Sequence, residues 1–324
     1  MATLRTGVVV SWRRLSGALA TLRLGPQEGG RFPPYAPGQY IALRREDCRL
    51  TKRIVDEGGR VRYVPDVDAS GNPRHGPVTH AYSIASAPFE TGRDGHLEFY
   101  VVLEQDGLGT PGRFTDSLFR GGGGPGDGIG YYERITGEFT LERRAAGYPN
   151  VLFVGTGTGL APFVSMIKQL HHEASLGTPA PARYTLVHAN RTRGELAYHE
   201  ELSAIAASGL LDFAYVASVS RPGPGEDDGT VGTGRANNLL RHVFGMPMKE
   251  EEDGDAEALR KAVPPRLARH LTPESVRERL PRGSTVVLTC GNAEAMAEIK
   301  TVADREGMRF EKEDWKPSAP AAGS

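Results

Sequence analysis

The segment Val151–Phe163 constrains the fold of this chain more than any other part of the sequence. Its first four residues are consecutive apolar side chains, as in a parallel strand that is buried on both faces. The glycines that follow allow a sharp turn and a close approach of the backbone to a ligand. Pro162 suits the first turn of a helix, which we expect from about Pro162 to Ala174. This order of strand, glycine turn and helix predicts a phosphate site at the helix N-terminus.

Three interpretations of the glycine-rich turn compete. A loop that binds a triphosphate for hydrolysis ends in Gly-Lys-Ser or Gly-Lys-Thr, whereas Gly159 is followed by Leu160, so nucleotide hydrolysis is disfavoured. A dinucleotide-binding loop and a tight strand-to-helix connection without a ligand both remain. If a dinucleotide binds, the residues around its pyrophosphate are Gly155, Thr156, Gly157, Thr158, Gly159 and Pro162.

Composition limits the class of protein. The chain has 324 residues, 39% of them hydrophobic and 24% charged, which is typical of a soluble protein with room for two domains. A formal net charge of −1 gives no overall attraction for nucleic acid or an anionic membrane. No segment approaches the ~20 apolar residues of a membrane span and the first residues do not resemble a secretion signal, so we expect a cytoplasmic location.

Cysteine content limits the redox chemistry. Only Cys48 and Cys290 occur, which is too few for a disulfide framework or a four-thiolate iron–sulfur cluster. We expect no metal site. If the protein moves electrons, it therefore needs an organic cofactor.

Two patterns of predicted structure divide the chain. The first part contains short strands broken by Gly and Pro, a spacing that favours an antiparallel Greek-key barrel. These strands are predicted at Gly7–Trp12, Ala18–Leu24, Tyr40–Arg44, Ala81–Ala85, Leu97–Leu103 and Phe139–Leu141. From Asn150 onward, strands alternate with helices, which predicts a doubly wound parallel sheet. Its strands are predicted at Val151–Val154, Tyr184–Ala189, Phe213–Ser218 and Thr285–Cys290.

The change between the two patterns predicts a domain boundary near Ala145–Pro149, with a barrel domain of residues 1–147 and an α/β domain of residues 148–324. Two stretches fit neither pattern. Residues 45–79 are polar and rich in Gly and Pro, and we expect an insertion with a hairpin around Arg60–Val64. Residues 246–270 hold an acidic run followed by basic residues, which a solvated excursion or a docking motif would explain. The segment from Pro317 is expected to be a short tail.

Three further motifs occur in the barrel region. They are His80-Ala81-Tyr82-Ser83, Tyr100-Val101-Val102 and Gly112-Arg113-Phe114-Thr115. Together with the glycine-rich loop, they resemble the ferredoxin–NADP reductase family, in which an Arg-x-Tyr-Ser strand, an aromatic-x-Val strand and a Gly-x-x-Ser/Thr turn hold FAD. His80 stands where the family usually has arginine, and Arg113 is a second source of positive charge. The resemblance implies that His80, Tyr82, Ser83, Tyr100, Val102, Gly112, Arg113 and Thr115 bind FAD.

The residue types in these motifs suit a flavin. The Tyr82 ring is able to stack on the isoalloxazine, and the Ser83 hydroxyl is able to hydrogen-bond near the reactive flavin nitrogen. Because side chains alternate along a strand, Tyr82 and Ser83 should point to opposite faces. Thr115 lies at a helix start, where backbone amides would face the FAD pyrophosphate. The alternative for Tyr82 is a place in the barrel core.

The resemblance continues in the second half of the chain. Cys290-Gly291-Asn292 matches a Cys-Gly motif of the family, which implies that Cys290 and Gly291 lie beside the nicotinamide. A buried apolar thiol is the alternative, but the end of a parallel strand is where α/β sheets bind ligands. Glu313 and Trp315 resemble the family's terminal Glu-x-aromatic. That match implies a carboxylate near the nicotinamide and a ring over the flavin, although the chain continues past Trp315 and a surface tryptophan is the alternative.

Residues that would meet the adenosine ribose determine the choice between NAD and NADP. Arg191 follows the second parallel strand, with no acid immediately placed to hold a free 2′-hydroxyl. In the family, a Ser/Thr-Arg pair and a later basic or aromatic residue hold the 2′-phosphate, which implies this role for Ser220, Arg221 and Arg235. The planar guanidinium suits a phosphate, while solvated loop arginines are the alternative. NADP(H) is therefore the expected nucleotide.

The resemblance implies a flavoenzyme in which NADPH passes a hydride to FAD and electrons leave singly to ferredoxin or flavodoxin, both acidic carriers. Ser83, Cys290 and Glu313 are the implied catalytic residues. A basic docking face or scattered solvent-facing charges would both explain Arg13, Arg14, Arg31, Arg44 and Arg45. Two other functions remain open: a stand-alone reductase component serving an oxygenase or another acceptor, and a non-catalytic flavin- or nucleotide-binding regulatory subunit. The oligomeric state is also open.

Overall fold

A computed structural model describes residues 3–55, 58–226 and 228–313. The first part of the chain forms an antiparallel six-stranded sheet in the order β6-β3-β8-β1-β2-β7. The backbone amide of Ala85 donates to the Glu98 carbonyl at 2.8 Å, which joins the chain just after edge strand β6 to edge strand β7. The strands of this part are β1 (Leu4–Arg14), β2 (Leu19–Pro26), β3 (Tyr40–Arg49), β4 (Thr51–Val55), β5 (Val61–Pro65), β6 (His75–Ser83), β7 (Leu97–Val102) and β8 (Gly128–Thr136).

Three short helices accompany the antiparallel sheet. They are α1 (Pro88–Asp94), α2 (Arg113–Ser117), which continues as a π-helical turn over Leu118–Gly122, and α3 (Leu141–Arg144). Leu22, Ile41, Phe99 and Ile129 are completely buried in the core of this sheet. Each sits on the inward side of its strand, so the alternation of apolar and polar residues explains the packing.

The second part of the chain forms a parallel sheet in the order β12-β11-β10-β9-β13-β14. Its strands are β9 (Asn150–Thr156), β10 (Arg183–Asn190), β11 (Phe213–Val219), β12 (Gly232–Thr233), β13 (Thr285–Cys290) and β14 (Arg309–Lys312). Its helices are α4 (Ala161–Ser175), α5 (His199–Ser208), α6 (Ala236–Val243), α7 (Lys249–Glu252), α8 (Ala256–Lys261), α9 (Pro273–Arg277) and α10 (Ala293–Arg305). One face packs on α4 and α5 and the other on α6 and α10, which explains the continuous apolar strands.

The two sheets share apolar packing. Tyr100 from β7 and Phe139 from the connection after β8 belong to the same buried cluster as Phe153 and Phe163 of the parallel part. The rings of Phe139 and Phe163 are 5.9 Å apart. Lys168 on α4, only 7% exposed, forms an ion pair at 2.6 Å with Glu90 on α1. The two parts of the chain are therefore held together by a core and by a buried charge pair.

The predicted fold class is confirmed, and all four predicted parallel strands and the helix after the glycine turn are present. The strand predicted at Phe139–Leu141 is wrong. Phe139 is apolar because it packs against Phe163, and α3 begins at Leu141. The sheet uses β8 instead, which the sequence analysis missed because two glycines interrupt its apolar pattern.

The predicted insertion at residues 45–79 contains the expected hairpin, formed by β4 and β5. It is less irregular than expected, because β3 runs on to Arg49 and β6 begins at His75, and these ends pair with each other. The strand predicted from Ala81 to Ala85 is thus earlier in the chain than expected and ends at Ser83. Among the described residues, no helix is long and apolar enough to cross a membrane.

Candidate dinucleotide and flavin site

Three side chains from distant parts of the sequence meet where the two sheets face each other. Ser83 ends β6, Cys290 ends β13, and Glu313 follows β14. The Cys290 thiol donates to Glu313 Oε2 at 2.9 Å, and the Ser83 hydroxyl lies 3.3 Å from the same oxygen and 3.5 Å from Oε1. The backbone amide of Glu313 donates to the Thr289 carbonyl at 3.1 Å, which fixes the carboxyl group beside β13. The structure thus brings the three predicted catalytic residues together.

Burial alters the acidity of this cluster. Glu313 is 5% exposed, and the loss of hydration raises the pKa of its carboxyl group to about 7, although hydrogen bonds from Cys290 and Ser83 act in the opposite direction. A carboxyl group with this pKa is able to hold or release a proton near neutral pH. The cluster therefore has the property required of a proton donor or acceptor at the junction of the two sheets.

The glycine loop lies at the point where the strand order of the parallel sheet reverses. Strands β10 and β13 flank β9 on its two sides, and Gly155 of β9 is in register with Cys290 of β13. A crevice at such a point, at the carboxyl ends of the strands, is the usual ligand site of open α/β sheets. No side chain caps the N-terminus of α4, so its amides are not satisfied in this way.

Two glycines of this loop are required by geometry. Gly157 has a φ of +55°, which favours glycine. A Cβ atom at Gly159 would lie 2.0 Å from the Cys290 carbonyl oxygen. Because that neighbour is backbone, the loop and the end of β13 approach this closely only with glycine at position 159. Thr158 lies between them, half-buried, and Pro162 is buried in the first turn of α4.

A cavity of about 410 Å³ extends along this edge of the parallel sheet. We name it the nucleotide cavity after the predicted nucleotide residues in its walls. Its walls include predicted nucleotide residues from both parts of the chain: Val102, Thr156, Gly157, Arg191, Ser220 and Arg235. Arg221 does not line it directly, but its amide donates to the Arg191 carbonyl at 2.7 Å, so the two arginine loops are joined. Within the described parts of the chain, no carboxylate lies within 4.0 Å of the guanidinium groups of Arg191, Arg221 or Arg235. Exposed guanidinium groups without a protein counter-ion suit an anionic ligand.

Some residues of this cavity were missed by the sequence analysis. Lys249, at the start of α7, brings the predicted insertion at residues 246–270 into the cavity wall. Its ammonium group pairs with Asp253 and lies 3.6 Å from Glu298. Glu195 is 6% exposed, and its Oε2 atom has no hydrogen-bond partner among the described residues. The acidic and basic runs of the insertion gave no indication that one lysine would reach the nucleotide cavity.

The barrel motifs expected to hold FAD converge in part. The rings of His80 and Phe114 lie 5.1 and 5.3 Å from the Tyr82 ring, so the β6 motif and the Gly112–Thr115 turn are neighbours. Gly112 caps α2, Thr115 is buried, and Arg113 is exposed beside them. Tyr82 points into the barrel core and Ser83 toward Glu313, as strand alternation predicts.

The residues present fit a flavin nucleotide. The Tyr82 hydroxyl is buried and has no hydrogen-bond partner among the described residues, a costly arrangement unless another group supplies one. Burial raises the pKa of this phenol well above its ordinary value, so it stays protonated. An unsatisfied hydroxyl, a helix start at Gly112 and an exposed guanidinium at Arg113 together provide contacts for a ring system and its phosphates.

Tyr100 does not join this group. It lies on the opposite face of β7 from Phe99, and its hydroxyl donates to the Glu195 carbonyl at 2.7 Å and accepts from Asn190 at 3.0 Å. Its ring therefore serves the contact between the two sheets, and its role in binding FAD stays a prediction that these contacts do not support. Gly291 follows Cys290 with a φ of +133°, beside Thr156. Trp315 lies outside the described residues.

Three of the five arginines considered for a docking face are occupied. Arg44 pairs with Glu46 at 2.6 Å, while Arg14 and Arg45 donate to the carbonyls of Phe119 and Gly122. Arg13 and Arg31 are exposed. The described residues contain no group of three or more His, Cys, Asp or Glu side chains that would hold a metal ion.

Comparison with known proteins identifies relatives that share part of this chain. The oxidoreductase NAD-binding domain matches residues 153–243, which include the glycine loop, Ser220, Arg221 and Arg235. The ferredoxin–NADP reductase B of Sorangium cellulosum is 33% identical over 150 residues, 46% of this chain and 53% of that protein. Over those residues the chain is similar to the ferredoxin–NADP reductase family. The match to an oxidoreductase NAD-binding domain supports a nicotinamide dinucleotide as a ligand of this part of the chain.

Other proteins similar to this chain have different names. The flavohemoprotein of Bordetella pertussis is 30% identical over 214 residues, 64% of this chain and 44% of that protein. The chain thus spans about half the length of these curated relatives. The crystal structure of a ferredoxin NADP+ reductase from Neisseria gonorrhoeae with bound FAD and NADP has the same fold, with a TM-score of 0.56 at 20% identity over 96% of this chain and 99% of that one.

Proposed function

We propose that this oxidoreductase takes electrons from NADPH rather than NADH and exchanges them singly with an acidic carrier protein, ferredoxin or flavodoxin. The meeting of Ser83, Cys290 and Glu313 beside the glycine loop supports this proposal most strongly. These groups come from both sheets, as a reaction between two bound nucleotides requires. FAD, when bound, supplies the conversion between two-electron and one-electron transfer.

The chain's own residues have separate tasks in this proposal. The glycine loop and the N-terminus of α4 bind the NADP pyrophosphate, and Ser220, Arg221, Arg235 and Arg191 hold the adenosine end with its 2′-phosphate. Cys290 and Gly291 shape the place of the nicotinamide. Glu313 holds a proton at its carboxyl group and passes it on through the Ser83 hydroxyl, which is within hydrogen-bond distance of it. The packing of the two sheets excludes water from this cluster.

The choice of NADPH is supported by the exposed arginines along the cavity. A direct test is rapid-mixing reduction of the bound flavin under anaerobic conditions with NADPH and with NADH. We expect NADPH to bleach the flavin at much lower concentration. Equal concentration dependence would contradict the assigned roles of Arg221 and Arg235, and the absence of reduction by either nucleotide would favour a non-catalytic flavin- or nucleotide-binding subunit.

A reductase component for an oxygenase or another acceptor is the second candidate function. The match to a flavohemoprotein over 64% of this chain favours it, because the name of that protein indicates a haem group beside a flavin and does not mention ferredoxin. The two candidates differ in the acceptor. Transfer from the NADPH-reduced protein to purified ferredoxin and flavodoxin, followed by their absorbance, supports the first candidate if it is fast. Slow transfer to both carriers, with rapid flavin reduction, supports the second.

A further inference from the structure

A second cavity, of about 500 Å³, lies at the opposite edge of the parallel sheet from the nucleotide cavity. It is lined by Val151 and Tyr184 at the amino ends of β9 and β10, by α4, and by residues 140–142 and 145–149 of the segment that connects the two sheets. Its size falls within the range of small-molecule sites. Because the nucleotide site is at the carboxyl ends of the same strands, a ligand here would not compete with NADP.

The walls of this cavity are apolar with an acidic side. Met166 and Leu170 of α4 are buried and present hydrophobic surface, while Glu142 and Glu173 contribute the charged groups. None of the described residues that line it is Lys, Arg or His. In the described ranges, no cation lies within 4.0 Å of either carboxylate, and Glu173 Oε1 accepts only a hydrogen bond from Gln169 Nε2 at 2.9 Å. The charge of the cavity therefore disfavours an anionic ligand and favours a cationic one.

Tyr184 supplies a second, independent feature of this cavity. It is 1% exposed, and its ring is parallel to that of Phe153 at a distance of 5.8 Å. Its hydroxyl has no hydrogen-bond partner in the part of the chain that the structure describes. Burial and the charge of Glu173 raise the pKa of this phenol to about 12, so it stays protonated. The hydroxyl is the polar end of a side chain that is otherwise buried, and Tyr184 lines the cavity. A polar ligand group in the cavity would satisfy it.

We propose that this cavity binds a primary organic amine with a flat apolar body, held by Glu173, Glu142 and the Tyr184 hydroxyl. An ammonium group offers three donors, which the Glu173 carboxylate and the Tyr184 oxygen are able to accept. The apolar body fills the space beside Met166, Leu170 and Val151, and aromatic rings also attract a cation. This site is additional to the proposed function, and it uses none of the residues assigned to FAD or NADP.

The test compares three probes of one shape on the purified full-length flavoprotein by titration calorimetry: tryptamine, the neutral tryptophol and the anionic indole-3-propionate. We expect tryptamine to bind at least tenfold more tightly than tryptophol and indole-3-propionate not to bind. Glu173→Gln should weaken tryptamine at least tenfold, and Ala182→Phe should abolish its binding by filling the cavity. Glu200→Gln, which changes an exposed carboxylate on α5, should leave binding unchanged.

Three results would overturn the proposal. Equal affinity for tryptamine and tryptophol would remove the role of the carboxylates. Tryptamine binding that persists in both Glu173→Gln and Ala182→Phe would place the probe elsewhere, and loss of binding in saturating NADP+ would place it in the nucleotide cavity. Thermal unfolding of each variant shows whether it is folded. Since heat of binding needs no turnover, this test gives the same answer whether or not the protein oxidises NADPH.

Discussion

The Cys290 thiol lies 2.9 Å from Glu313 Oε2, at the junction between the last long parallel strand and the antiparallel sheet. The same carboxyl group accepts from Ser83 on the other side, so one acid connects β13 with β6. Ser83 is 230 positions from Glu313 in sequence, whereas Cys290 is only 23 positions from it, and all three are buried together. This cluster lies next to the nucleotide cavity, since Gly155 before the glycine turn is in register with Cys290.

Glu313→Gln should change how stability depends on pH. The folded-state pKa of about 7 lies above the ordinary value of 4.5, so the folded protein binds more protons than the unfolded chain between these values. Wild-type stability should therefore fall as pH rises from about 4.5 through 7, by up to roughly 3 kcal/mol from this group. The variant should lack that contribution. Urea unfolding of both proteins from pH 5 to pH 8 measures the difference, and parallel curves would contradict the buried acid.

Ser83→Ala should slow the reduction of bound flavin by NADPH while the flavin content stays normal. Loss of an ordinary hydrogen bond costs about 0.5–1.5 kcal/mol, or roughly two- to tenfold in rate. Rapid-mixing absorbance gives the rate, with Thr79→Ala on the exposed part of the same strand as control. A colourless Ser83→Ala protein would instead show that Ser83 holds the cofactor.

Arg221→Ala should raise the KM for NADPH by roughly ten- to a hundredfold, in line with loss of a charge-assisted contact to phosphate, and change the KM for NADH far less. Steady-state kinetics with both nucleotides measure the ratio. Arg260→Ala, on an exposed position of α8, is the matched control. Indistinguishable effects on the two nucleotides would remove Arg221 from recognition of the 2′-phosphate.

Lys249→Ala should weaken binding of NADPH several-fold with little change in kcat. The substitution removes a positive charge from the cavity wall and leaves Glu298, 3.6 Å from that ammonium group, facing the nucleotide phosphates. Lys261→Ala serves as control, because Lys261 forms a comparable helical ion pair with Glu257 but is exposed and does not line the cavity. Equal KM values for the two variants would place Lys249 outside the nucleotide site.

Gly159→Ala should disrupt nucleotide binding and lower thermal stability. The new Cβ would lie 2.0 Å from the Cys290 carbonyl, so the loop or the end of β13 must move. Gly92→Ala is the control, since nothing lies within 4 Å of a Cβ there and the position is within α1. Differential scanning fluorimetry with and without NADP+ measures both effects. A normal nucleotide-induced shift in Gly159→Ala would show that this close approach is not needed.

The sequence allows prediction of the elements whose pattern is local. Consecutive apolar residues at Val151–Val154 and glycines immediately after them indicate a buried strand and a phosphate loop without any tertiary information. Strand β8 could not be predicted in this way, because Gly128 and Gly130 interrupt its alternation and only pairing with β1 and β3 makes it a strand. Phe139 is the opposite case: its apolar side chain suggests a strand, but it packs against Phe163 between the two sheets.

The candidate site was predictable only as far as the family motifs reach. Ser83, Cys290 and Glu313 follow from those motifs, and the structure places Ser83 and Cys290 within hydrogen-bond distance of the Glu313 carboxyl group. The position of Tyr100 follows instead from the face of β7 on which it lies, which a short motif does not specify. Lys249 reaches the nucleotide cavity through the path of residues 246–270, and no local pattern encodes that path.

The apolar cluster that contains Phe139, Tyr100, Phe153 and Phe163 belongs to neither sheet alone. Separating the two halves of this protein would expose these rings to water, so neither half is expected to be stable by itself. Heat or denaturant should thus melt both together in a single cooperative transition. A consequence for engineering is that the parallel-sheet half, moved into another protein, needs the matching surface of its own barrel. The contact between the two halves also sets the distance between Ser83 of the barrel and Cys290 of the parallel sheet.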